Sequence, residues 1–149
     1  MGARRWATGG AIILALLWGG AGYLVTRPTT FHDYRITAVD AAQSAYNALA
    51  TARIAGTARL DGKVTGPYLK SVLADSREAL AGAAKRFAGE SPPDARTAAM
   101  RDELGPMLVR ASTALDGMEN AGDDAALRAA LDPVAAAADE VDGFLEAHA

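Results

Sequence analysis

The chain has 149 residues, enough for one domain, and half of them are hydrophobic, but 36 are alanines that each bring little area out of water. Cysteine is absent and His32 and His148 are the two histidines, which excludes disulfides, thiolate nucleophiles, cysteine-held metals and any three-histidine metal site. Net charge is −3, but with Arg4, Arg5 and Arg27 set aside, residues 28–149 hold 12 basic against 18 acidic side chains, or −6.

Between Arg5 and Arg27, the 21 residues from Trp6 to Thr26 carry no charge. As a helix they would reach about 31 Å, the thickness of a hydrocarbon core. Trp6 and Tyr23 stand near the two ends, where amphipathic rings favour the interface. Arg4 and Arg5 before the run set the N-terminus in the cytoplasm by the positive-inside bias, so the expected layout has residues 1–27 as a short tail and signal anchor, 28–32 as a linker, and 33–149 as an extracytoplasmic domain. A cleaved signal peptide is the competing reading, with Gly19-Gly20-Ala21 as small residues for the peptidase. The apolar run continues through Tyr23-Leu24-Val25, which an anchor needs and a cleaved peptide does not. Ala7, Ala11, Ala15 and Gly19 recur every fourth residue, a stripe on which two membrane helices could approach closely.

Pro28 ends this run. From Asp33 to about Leu60 two stripes share one helix: Ile36, Val39, Tyr46 and Leu49 on the first, and Ala38, Ala41, Ala45, Ala48, Ala52 and Ala55 on the second. The alanine stripe would let a neighbour pack close. Asp61 to Gly66 reads as a turn, with Gly62 able to take the left-handed conformation at the helix end. A second helix starts at Pro67, carries Leu69, Val72, Leu73, Leu80, Ala83 and Phe87, and stops at Gly89 before Ser91-Pro92-Pro93. Asp94 can cap a third, running from Met100 through Met118 to Asn120, with Gly105-Pro106 expected to kink or split it. Asp123 can cap a fourth that holds Leu127 to Leu145, with Asp132-Pro133 as a second breach.

Helices of this length joined by short loops predict an all-α chain, an N-terminal transmembrane helix followed by an antiparallel four-helix-bundle-like domain. Residues 33–149 contain 27 large apolar side chains, lean for their number, so an alanine face left for a partner or a second copy is expected.

Chemistry is sparse. Asp102-Glu103 and Asp139-Glu140 are adjacent acids, which on a helix point about 100° apart and make no paired site alone. No glutamate precedes a histidine by three, no serine has a nucleophile-elbow frame, and no glycine-rich phosphate loop is present. No cofactor and no metal is expected. The acidic exported part argues against nucleic acid as a partner. Tyr34, Tyr46, Tyr68 and Phe87 are candidates for an inter-helix pocket or, more simply, the few large side chains of an alanine-rich core.

In its high use of Ala, Gly, Arg and Asp with scarce Asn, Ile and Lys, and in its layout, the chain resembles the uncharacterised single-pass or secreted helical proteins of high-GC actinobacteria. The resemblance implies a cell-envelope setting and carries no functional residue. The expected function is a non-catalytic, membrane-anchored accessory or scaffold that binds the lipid bilayer through residues 6–26 and another envelope protein or itself through helix faces. A ligand-binding or sensor-like bundle is the alternative, and a pocket of about 300 Å³ or more between helices would favour it.

Overall fold

The computed structural model describes residues 29–148. The expected membrane span, and with it the Ala7, Ala11, Ala15 and Gly19 stripe, lies outside the described residues. Four helices follow one another: α1 (Phe31–Leu60), α2 (Gly66–Gly89), α3 (Ala95–Glu119) and α4 (Asp124–His148), with no strand among the described residues.

Local chemistry sets their ends. Thr30 caps α1 reciprocally with Asp33: the Asp33 N–H donates to Thr30 Oγ1 at 3.2 Å, and the Thr30 N–H donates to Asp33 Oδ2 at 3.2 Å. The helix therefore begins at Phe31, two residues ahead of the start expected from its apolar rhythm. At its far end Gly62 has φ +71°, and the Lys63 and Gly62 N–H groups donate to the carbonyls of Ala58 and Arg59, the paired bonds of a Schellman end. Thr65 and Pro67 open α2, Asp94 opens α3 by accepting from the Thr97 N–H at 2.9 Å, and Asp123 opens α4 by accepting from the Ala126 N–H at 2.8 Å.

Proline does not split α3 or α4. Both helices run unbroken past Pro106 and Pro133, contrary to the expectation from sequence. Both rings sit on exposed positions, and the carbonyls that lose a donor belong to Asp102 and Ala129, themselves exposed residues where water can take the place of the missing bond.

Consecutive helices are antiparallel. Tyr34 meets Phe87 between α1 and α2, Arg77 meets Asp116 between α2 and α3, Arg110 meets Glu140 between α3 and α4, and Arg59 meets Asp124 between α4 and α1. Across the bundle, α1 and α3 touch whereas α2 and α4 do not, so the cross-section is a rhombus with α1 and α3 on its short diagonal. The cause is the alanine stripe. Ala38, Ala45 and Ala52 of that stripe, and Ala42 beside it, are fully buried, and of the larger stripe Leu49 alone is; Ile36 is 43% exposed, and Val39 and Tyr46 are half-buried. With small side chains facing inward, α1 comes close enough that a Cβ on Gly56 would stand 2.5 Å from Met118 Cε. The rest of the core comes from larger groups on the other three helices, including Leu73, Leu80, Leu104, Leu115, Val134, Val141 and Phe144.

Candidate functional site

The four aromatic candidates divide by helix register. Tyr34 in the first turns of α1 and Phe87 in the last turn of α2 are buried, with ring centroids 5.7 Å apart and planes tilted by 55°. The Tyr34 hydroxyl is buried without a hydrogen-bond partner. Burial pushes its phenol above the usual tyrosine value; Arg101 opposes the rise, and Asp102 and Glu90 add to it. Tyr46 lies three turns farther along α1 and is half-buried. Tyr68 stands in the first turn of α2, a helix length from Phe87, and is 54% exposed. Antiparallel pairing across the 61–65 turn thus brings Tyr34 to Phe87 and carries Tyr68 to the other end. Two of the four build one core contact, and the set does not enclose a pocket.

The paired acids are likewise separated. Asp102 binds Arg101 at 2.9 Å, while Glu103 reaches His148 Nε2 at 3.1 Å. His148 is held further by the Arg35 guanidinium, which donates to its carbonyl at 3.1 Å, and by the Phe144 ring at 4.3 Å. Asp139 is exposed and Glu140 accepts from Arg110 Nε at 2.7 Å. Arg77 bridges Asp116 at 2.8 Å and also Glu119. Of these carboxylates, Asp102, Glu103, Asp116, Glu119 and Glu140 each face an arginine or histidine in an ion pair, mostly at the surface, and Asp139 does not. Among the described residues no three histidine, aspartate or glutamate side chains gather where they could hold a metal.

Three concavities of similar size lie on the surface of the described residues, one of them, of about 390 Å³, on the polar α1/α2 face beside Ser44, Asn47, Thr51 and Asp75. Another, of about 470 Å³, runs between α1 and the end of α2 and presents Asp40 and Glu90 beside Lys85 and Arg86, so its charges largely offset one another. The third, of about 400 Å³, is the open groove between α3 and α4. Arg110, Thr113, Ala114 and Gly117 form one wall; Ala130, Pro133, Ala136, Ala137 and Glu140 form the other. Six of these nine are Ala, Gly or Pro, so the groove is smooth, and the Arg110–Glu140 pair sets a polar boundary at one end. Val109, one turn before Thr113 on α3, is 66% exposed.

Nothing in the sequence marks this groove. Its residues follow the helical spacing 110, 113, 114, 117 and 130, 133, 137, 140, but small side chains at that spacing read as filler, and Pro133 reads as a break. What distinguishes them is the missing neighbour: α1 covers the inner sides of α3 and α4, and no helix covers the outer seam. Volume alone meets the threshold set for a ligand pocket, yet the position differs, since the groove lies outside the helix bundle rather than within it.

No family model matches the chain, and neither a curated protein nor a solved structure does.

Proposed function

We propose that residues 6–26 anchor the chain in a membrane with the N-terminus in the cytoplasm, and that the helical bundle is an extracytoplasmic, non-catalytic docking domain for another envelope protein. The observation that carries the reading is the 21-residue uncharged run bounded by Arg4 and Arg5 on one side and Arg27 on the other. The bundle adds to it. No helix of the described residues is long and apolar enough to cross a membrane, so the reading rests its anchor on that run. The uncovered groove on α3 and α4 offers apolar surface of the kind that binding partners cover.

The test uses the full chain with a C-terminal tag, expressed in a high-GC actinobacterial host. The expected product is of full-length mass, stays with the membrane after carbonate washing, and loses its tag to protease added outside intact spheroplasts. A mass starting near Gly22 in the medium replaces the anchor with a cleaved signal peptide. A tag protected until lysis overturns the topology.

A further inference from the structure

We infer that the α3/α4 groove receives a cationic amphipathic helix of about three to four turns from a partner protein. This deepens the docking reading by naming the chemistry of its partner. The groove extends from Ala130 to Glu140 along α4, about 15 Å at helical rise, which three turns of a helix would fill. Its walls of Ala114, Gly117, Ala130 and Ala136 admit a helix backbone at close range, as the same kind of surface on α1 admits α3.

Charge selects the occupant. Residues 29–90 hold eight basic and six acidic side chains, a net +2, whereas residues 91–148 hold four arginines against twelve acids, a net −8. Three of those arginines, Arg96, Arg101 and Arg110, are already matched to Asp94, Asp102 and Glu140. Asp132 and Asp139 precede the groove residues Pro133 and Glu140 and lie about 100° farther round α4, on the solvent side. Both are exposed, and neither has an ion-pair partner among the described residues. A helix seated in the groove would meet apolar surface below and these two acids along its α4 flank. The complementary sequence has small or medium apolar residues at i, i+3, i+4 and i+7 with lysine or arginine beside them. A second copy of this chain fits less well, because its own α3/α4 half repeats the negative charge.

The probe is a fluorescein-labelled 14-residue peptide with Ala and Leu at those positions and Lys on the flanks, titrated against the full chain in zwitterionic nanodiscs by anisotropy, with empty discs subtracted. Saturable one-to-one binding is expected, with at least a tenfold loss for the Gly117→Gln/Ala136→Gln variant and a similar loss for Asp132→Asn/Asp139→Asn. All four positions are exposed, and a Cβ on Gly117 would meet nothing within 4 Å, so folding is retained and is checked by circular dichroism. Equal affinity for a peptide with Glu in place of Lys, or undiminished binding to the glutamine variant, overturns the proposal. So does a dimer of the full chain that the glutamine variant dissolves, since the occupant is then a second copy. Retention of the chain in the discs reads the anchor separately from peptide binding.

Discussion

Gly56 of α1 and Met118 of α3 pack across the short diagonal with no room for even a methyl group between them, since a Cβ at position 56 would also stand 3.0 Å from Leu131 Cδ2. A Gly56→Val substitution must push α1 off α3 or drive Met118 from its buried place. The expected cost is about 1 to 3 kcal/mol, the range for overpacked cores. Urea denaturation of the full chain measures it, and the cost should shrink in a Met118→Ala background, because the two sites share one space. Equal costs in both backgrounds would show that the two residues do not meet.

The buried Tyr34 hydroxyl has no partner, so the Tyr34→Phe variant should be as stable as the parent or up to about 1 kcal/mol more stable. Loss of the whole ring is different: Tyr34→Ala should cost about 3 to 5 kcal/mol, as for other buried aromatic deletions. The ionisation has a definite sign. Because burial raises the folded-state pKa above the unfolded value of about 10, the stability tied to neutral Tyr34 is fully present below pH 10 and is lost as pH rises through the folded value. Urea midpoints at pH 9, 10 and 11 should fall more steeply for the parent than for Tyr34→Phe.

Asp94 behaves in the opposite sense. The Thr97 backbone N–H, with lesser help from the Thr97 hydroxyl and Arg96, holds its carboxyl below the ordinary 3.8 against a smaller desolvation effect, so its capping contribution is present above that value and is lost as pH falls through the folded one. Asp94→Ala should lower the melting temperature at pH 6, and the gap to the parent should narrow toward pH 3. Asp94→Asn, which keeps the acceptor oxygen, should lose less at pH 6.

Pro106 and Pro133 each remove a backbone hydrogen bond from the interior of a helix whose neighbouring residues are otherwise regular. Alanine at either exposed position restores the donor. Each substitution should raise stability by about 1 to 3 kcal/mol, somewhat below the full helix-interior penalty because solvent already meets the orphaned carbonyls. Differential scanning calorimetry of the two single variants and the double variant should show additive gains; a loss in either would mean that the ring, not the helix, is what its site requires.

Much of the bundle was legible because helix ends are written locally. Asp94, Asp123 and Gly62 announce their roles with one side chain or its absence, and the structure uses each as expected. Thr30 is hard to recognise as a cap from sequence because its partner Asp33 also opens the apolar rhythm and offers itself as the first capping residue. Choosing between the two stripes of α1 needed more than local chemistry. Hydrophobicity favours Ile36, Val39 and Tyr46 for the interior, but three neighbours compete for one helix, and the alanines allow all three to be reached. The α3/α4 groove was illegible for a related reason: a seam is defined by the helix that fails to cover it, and no residue encodes that failure. The expected span is a composition signal readable at a glance, and its residues lie outside those the structure describes.

Arg35 near the start of α1 grips the last carbonyl of α4, and the consequence is geographical. Four alternating helices bring the chain back to its point of departure, so the residue where the bundle begins and the residue where it ends share one pole. In a chain tethered as proposed through residues 6–26, that pole would lie against the bilayer, together with the Glu90 to Asp94 loop. The opposite pole, about 45 Å away by the length of α1, is made of the hairpin tips at 61–65 and 120–123. A protein fused to the C-terminus would therefore crowd the lipid surface, whereas one inserted at Gly62 or Gly122 would be held out at the full reach of the helices.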